Sequence, residues 1–262
     1  MAVIETEKNN GVMVIRMNRP ERLNALGTEL RAGLAEAFRD FRDDPAVEVA
    51  IFTGTGRAFC AGEDMKESLE RGTVGSPQNF DNPYDRGEID KPVIAAINGY
   101  AMGGGFMQAE RADLRVAVRG AIFEMSEAKR WLLGGYNHGH TGGLSHTIAT
   151  EMAFAFRFTS DRLYELGFIN RLCDDEASMM DAAHEMAKHL LSLPPASRVN
   201  TLTIMRAMRP KVPDELEALA EKLKQHGALS DLIESRTAFA EKRAPNFKGW
   251  DDPADRAKTP KL

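Results

Sequence analysis

Short apolar runs alternate with glycine-rich breaks through the first two-thirds of the chain, and the last third carries its apolar residues at helical spacing. Residues 3–18 alternate loosely about Asn9-Asn10-Gly11, and Asn-Gly ahead of Val12-Met13-Val14-Ile15 predicts a hairpin of two strands, because both turn positions tolerate positive φ. After Asn18-Arg19-Pro20, the recurrence of Leu30, Leu34, Phe38 and Phe41 predicts an amphipathic helix with Thr28 as its N-cap. Residues 47–53 form an apolar run closed by Gly54-Thr55-Gly56, and residues 93–97 repeat the pattern before Asn98-Gly99, so both read as buried strands. Between them, residues 72–87 are rich in Gly, Pro, Asn and Asp and read as a mobile loop. Beyond Asp174, residues 179–191, 216–229 and 231–242 predict helices, broken at Pro194-Pro195 and Pro210. The polar tail from Asn246 is expected to be loosely held.

Composition narrows the function classes. The chain has 262 residues, 43% hydrophobic and 28% charged, enough for one sizeable core or a core plus a small helical appendage. A net charge of −5 without clustered Lys and Arg argues against nucleic-acid binding. Cys60 and Cys173 are the two cysteines, too few for a disulfide framework or a cysteine-rich metal site, so no metal is expected. The first residues lack the basic and apolar segments of a leader, and no run approaches the ~18 apolar residues of a membrane span. The expectation is a cytoplasmic protein with no membrane partner.

Two stretches stand apart as chemistry. Ala58-Phe59-Cys60-Ala61-Gly62-Glu63-Asp64-Met65-Lys66-Glu67 and Asn98-Gly99-Tyr100-Ala101-Met102-Gly103-Gly104-Gly105-Phe106 each follow a predicted strand and place small residues where it gives way to a loop or helix. Small residues let a ligand approach the backbone, and the leading amides of a helix have no intrahelical partner, so they can point at developing negative charge. The Gly103 triplet is not a phosphate loop: no Gly-Lys-Ser/Thr follows it, and no dinucleotide fingerprint is present.

Together with Asn18-Arg19-Pro20-Glu21-Arg22-Leu23-Asn24-Ala25-Leu26, Lys91-Pro92-Val93-Ile94-Ala95-Ala96-Ile97-Asn98-Gly99 and Ala240-Glu241-Lys242-Arg243-Ala244-Pro245-Asn246-Phe247, these stretches make the chain resemble the crotonase (enoyl-CoA hydratase/isomerase) superfamily over almost its full length. The resemblance implies an α/β fold, a ββα spiral core over residues 1–195, and a C-terminal helical region over residues 196–262 that completes a homotrimer, often paired into a hexamer. It implies an acyl-CoA thioester as substrate and partner, with coenzyme A entering as part of the substrate and no permanently bound cofactor. The oxyanion-hole amides fall on Ala61 and Gly104, and Arg22, Leu23, Ala25, Glu63, Asp64, Met65, Met107 and Gly135 are the implied substrate-contacting positions.

The chain departs from the family pattern at one of two glutamates that hydratases of this kind carry. Met107 stands at the first, and Glu127 matches the second. A thioether exchanges no protons near neutral pH, so Glu127 must act alone or with a helper. Candidate helpers are Glu110, one helical turn past Met107, whose structural alternative is a buried ion pair with Arg111 or a neighbouring subunit, and His138 or His140, whose alternative is a solvated loop. Met107, Phe106 and Trp131 are candidate walls of the acyl pocket, core packing being the simpler role for the two aromatics. The leading expectation is a hydratase or dehydratase of an enoyl-CoA. A double-bond isomerase, a catalytically reduced CoA-ester binding protein and a thioester hydrolase are the alternatives.

Overall fold

The computed structural model describes residues 2–72, 80–130 and 133–262. Strands β1 (Ile4–Asn9) and β2 (Val12–Met17) form the expected antiparallel hairpin, with Asn10 and Gly11 at φ 47° and 80° in the turn. From β2 the first sheet continues in parallel through β3 (Val49–Gly54), β5 (Val93–Ile97), β7 (Leu114–Val118) and β10 (Arg171–Cys173). Each of β3, β5 and β7 hands over to a strand of a second sheet: β4 (Ala58–Cys60), β6 (Tyr100–Met102) and β8 (Ile122–Glu124) run parallel, and β9 (Phe158–Thr159) closes the edge antiparallel. After β4 comes α2 (Met65–Arg71), after β6 comes α3 (Gly104–Arg111), and after β8 comes a short 3₁₀ turn, Glu127–Arg130. This repeat of two strands and a helical segment is the expected ββα spiral.

Alternation along the strands divides the interior in two. Met13, Ile15 and Met17 of β2, Ala50 and Phe52 of β3, and Val93, Ala95 and Ile97 of β5 face the main core, which α1 (Thr28–Asp43) completes with Leu30, Leu34, Phe38 and Phe41. Val12, Val49, Ile51, Ile94, Ala96 and Val116 face the other side, where α6 (Glu176–Ser192) lays Met179, Ala183 and Ala187 on the sheet. Parallel strands buried on both faces read as continuous apolar runs, which is why β3 and β5 were visible in the sequence. The last third holds α7 (Pro195–Ala207), α8 (Asp214–Leu223) and α9 (Ser230–Ala240) after α4 (His146–Ala153) and α5 (Ser160–Glu165).

Several local expectations are corrected. Gly27, not Thr28, is the N-cap of α1, because the Thr28 N–H donates to the Glu67 carboxylate at 2.8 Å and needs no hydroxyl of its own. Residues 73–79 of the expected mobile loop lie outside the described residues; within the remainder Tyr84 is buried, stacked on Phe38 at 4.3 Å with its hydroxyl donating to the Gln108 carbonyl at 2.7 Å. The helix expected over 216–229 ends at Leu223, and α7 was not anticipated. The tail is tied down: Lys248 and Gly249 donate their N–H groups to Asp231 at 2.8 and 2.7 Å, and the Trp250 indole donates to His226 at 3.2 Å.

One buried cation secures the helix that carries the glycine triplet. Arg115 on β7 donates to the carbonyls of Glu110, Ala112 and Phe168 at 3.0, 2.8 and 2.7 Å, capping the end of α3, and its guanidinium lies 4.3 Å over the Phe168 ring. Burial, with Arg209 nearby, pulls its pKa down to about 10, still charged at neutral pH. Removing it leaves several buried carbonyls without a donor. Arg115→Gln is therefore expected to destabilise the fold by about 3 kcal/mol, read as a lowered denaturation midpoint at unchanged slope.

Candidate active site

The register of the second sheet brings three chain segments to one place. Cys60 pairs with Ala101 and Met102 with Glu124, so the carboxyl ends of β4, β6 and β8 lie side by side, and the residues that follow each strand emerge together. The first segment turns at Gly62, with φ at +83°. A Cβ there would stand 2.6 Å from the Met102 carbonyl oxygen and 3.3 Å from the Gly104 nitrogen, so only glycine allows this approach. The second segment starts α3: the Gly103 N–H donates to the Glu124 carbonyl at 2.7 Å, and Gly104 occupies the first helical position, where an amide has no intrahelical acceptor. The third segment carries Glu127. Its Oε1 lies 3.4 Å from where a Gly103 side chain would begin, and its buried Oε2 has no hydrogen-bond partner among the described residues.

Burial pushes the Glu127 carboxyl above its ordinary value, against the opposing pull of its own backbone N–H and of His138. Glu124 behaves differently. Burial acts on it too, but hydrogen bonds from Ser126 at 2.7 Å and from Lys129 and Arg157 at 2.9 Å hold it below the usual carboxylate range. Two neighbouring acids are thus driven apart, one fixed as an anion and one with an open oxygen suited to receiving and returning a proton. Cys60, beneath the site, is no nucleophile: burial pushes its thiol up to about 12.

These segments border a cavity of about 610 Å³ lined by Arg22, Leu23, Ala25, Ala61, Glu63, Asp64, Met65, Gly104 and Glu127, so nine sequence-derived site positions meet there. The loop from Arg19 to Leu26 is held against it by Asn24, whose side chain donates to the Ala58 carbonyl at 2.8 Å and accepts from the Arg19 N–H at 2.8 Å. Asp64 accepts from Arg19 and Arg22 at 2.9 and 2.6 Å and caps α2, which makes it part of the scaffold of this wall.

Other candidates are placed elsewhere. The Ala61 N–H donates to the Leu23 carbonyl at 3.0 Å, so the amide expected in the oxyanion hole is engaged within the fold. Met107 and Gly135 are not among the residues lining this cavity; Met107 packs on the main core, and Gly135 lies against Met125 and His138. Glu110 is buried and pairs with His138 at 2.5 Å while accepting from the Gly139 and Gly142 N–H groups at 2.6 and 3.1 Å. It holds the loop after Gly135, not Arg111, which pairs with Asp85. His140 stacks on His146 at 5.2 Å, and Phe106 stacks on Phe168 in the core at 5.3 Å. Trp131 lies outside the described residues. The cavity wall also includes Tyr100, from the second glycine-bearing stretch, and Glu124, Arg130, Arg157, Leu232, Arg236 and Phe239, which are not among the sequence-derived site positions; the last three come from α9, over a hundred positions from Glu127, and no local pattern announces them. Among the described residues, no group of three or more His, Cys, Asp or Glu is placed to hold a metal ion, and no helix is long and apolar enough to cross a membrane.

Comparison with known proteins places the chain in a family. The model of the enoyl-CoA hydratase/isomerase family matches residues 7–250. A carnitinyl-CoA dehydratase of Salmonella typhi is 33% identical over 259 residues, covering 92% of this chain and 97% of that protein. The solved structure of a carnitinyl-CoA dehydratase from Mycobacterium avium 104 superposes with a TM-score of 0.78 at 30% identity, covering 95% and 99% of the two chains. That of an enoyl-CoA hydratase from Mycobacterium tuberculosis H37Rv gives 0.70 at 31%, covering 94% and 98%. The spiral of paired strands, the glycine-turned strand ends and a family match spanning nearly the whole sequence have one explanation: this chain is an enzyme of the enoyl-CoA hydratase/isomerase family, a member of the crotonase superfamily.

Proposed function

We propose that the chain is a hydratase-type lyase of an α,β-unsaturated acyl-CoA thioester, with Glu127 as its single proton-transferring group. The observation that carries this reading is the Glu127 carboxyl set beside the open N-terminus of α3 in one cavity. When water adds to the β-carbon, negative charge gathers on the thioester oxygen. The Gly104 amide is preorganised for that charge, and such a donor contributes about 10² to 10³ in rate. Because the Ala61 amide is engaged with Leu23 and the Gly62 amide with the Cys60 sulfur at 3.4 Å, the partner donor is assigned to the amide of Glu63. Glu127 takes the proton of the attacking water and returns it to the α-carbon, which completes the addition without a second carboxylate; dehydration is the reverse.

The relatives named carnitinyl-CoA dehydratase and enoyl-CoA hydratase support a lyase of CoA esters. Met107 in place of a second acid favours one other reading, a double-bond isomerase in which Glu127 moves a proton from the γ- or α-carbon to the other. Assembly as a trimer or a pair of trimers belongs to the same proposal, and is supported by the exposed Ile204, Met205 and Met208 on and just after α7.

Incubation with a 2-enoyl-CoA is expected to abolish the conjugated thioester absorbance and add the mass of water; a 3-enoyl-CoA that instead gains absorbance at constant mass identifies the isomerase. Glu127→Gln is expected to lower kcat by about 10² to 10⁴, and an unchanged rate removes the catalytic assignment. The raised carboxyl also sets the pH response. Since the working form is the carboxylate, kcat/KM rises with pH through an apparent pKa above 4.5, the ordinary glutamate value, and the residual activity of Glu127→Gln lacks this limb; a limb that persists in the variant assigns it to another group. Folding follows the opposite sign: the folded state binds this proton more tightly than the unfolded chain, so the contribution of Glu127 is greatest below pH 4.5 and declines as the carboxyl ionises. Glu127→Gln is accordingly expected to raise Tm at pH 7 by more than it does at pH 4.

A further inference from the structure

Three of the acids that line the cavity are already bound by cations. Glu63 accepts from Arg31 and Arg71 at 2.8 and 3.2 Å, Asp64 from Arg19 and Arg22, and Glu124 from Lys129 and Arg157. Arg130 and Arg236 line the same cavity; each feels one carboxylate at longer range, Glu124 for Arg130 and Glu63 for Arg236, and among the described residues neither arginine has one within ion-pair distance. Arg236 is only 6% exposed. Burial pulls down the pKa of both guanidiniums, against the weaker opposing pull of Glu124 on Arg130 and of Glu63 on Arg236.

The two arginines belong to one patch. Arg130 ends the 3₁₀ turn that Glu127 begins, and its guanidinium lies 4.2 Å over the ring of Phe239, which is three residues beyond Arg236 on α9. The Ser235 hydroxyl fastens α9 to that turn by donating to the Lys129 carbonyl at 3.1 Å. A buried guanidinium left without an acceptor is costly, and its planar fork of N–H groups matches a carboxylate in two-point contact. Arg130 sits on the same turn as Glu127, whereas Arg22 lies on the Arg19 to Leu26 loop and Asp64 on the segment after β4.

We propose that Arg130 and Arg236 form a carboxylate-binding subsite for the acyl end of the substrate, so that the preferred thioester is an enoyl-CoA whose acyl chain itself ends in a carboxylate. The proposal rests on the thioester reading above and adds the acyl class to it. An acyl group carrying a fixed positive charge is disfavoured by the same two residues. The anion met here is the acyl carboxylate, and a phosphate of the coenzyme is the competing source of the same chemistry.

Saturated thioesters separate these possibilities without turnover. Calorimetric titration of the full chain with glutaryl-CoA and with pentanoyl-CoA, which share five carbons and differ by a terminal carboxylate, is expected to show glutaryl-CoA binding at least about ten-fold more tightly. Arg130→Gln and Arg236→Gln each remove most of that preference, and Arg236→Lys, which keeps the charge but not the fork, retains part of it. Equal affinity for the two thioesters overturns the subsite and leaves the thioester reading standing. Arginine variants that weaken both thioesters and free coenzyme A by the same factor overturn it in favour of a phosphate contact. Binding of neither thioester overturns both readings, while a carboxylate preference in a protein without turnover supports the subsite and removes only the catalytic claim.

Discussion

The contact on which the site depends is the approach of two backbones at the ends of β4 and β6. Gly62 lies so close to Met102 and Gly104 that no side chain fits between them, and Gly105 is equally tight against the Cys60 carbonyl, where a Cβ would fall at 2.1 Å. That closeness follows from parallel pairing: Cys60 opposite Ala101 and Met102 opposite Glu124 make the strand ends level. Ligands of parallel α/β sheets gather at carboxyl ends of strands because loops and helix N-termini diverge there and leave open amides. Here the third strand end adds a carboxyl to the same opening.

Charge then decides what the opening can hold. Most acids around it are already bound: Asp64 to two arginines, Glu63 to two, Glu124 to a lysine, an arginine and a serine hydroxyl. Among the described residues of the cavity this leaves Glu127 as the buried carboxyl with an oxygen to spare, in surroundings dry enough to keep its proton affinity high. Structural and chemical carboxylates therefore lie within a few residues of one another and differ only in the donors that reach them. Glu110, equally buried, is consumed by His138 and two amides, so the loss of an acid at Met107 is not made good from that side of α3.

Much of this could be read from sequence, for reasons tied to particular residues. The hairpin at Asn10-Gly11, the buried strands β3 and β5, and helix α6 were legible because turn chemistry and doubly buried parallel strands leave strong local patterns. Short strands of the second sheet, two or three residues each, leave almost none. The backbone segments at the cavity stand out through their glycines and their likeness to a family, yet the sequence does not show that the Ala61 N–H donates to Leu23, because that hydrogen bond depends on how the Arg19 to Leu26 loop folds back. Arg236 and Phe239 were invisible for a different reason: α9 is an ordinary helix in sequence, and only the tertiary fold lays it across the turn that carries Glu127. The tail looked loose by composition, and two N–H groups on Asp231 were enough to fix it.

The central claim is that open amides at the start of α3 and beside Gly62 polarise a thioester carbonyl. Isotope-edited infrared difference spectra of a carbonyl-labelled enoyl-CoA bound to the Glu127→Gln protein measure that polarisation directly, since turnover is suppressed and the backbone donors remain. The carbonyl stretch is predicted to move to lower wavenumber than in water, reporting stronger hydrogen bonding than solvent provides. A band at or above its aqueous position contradicts the account.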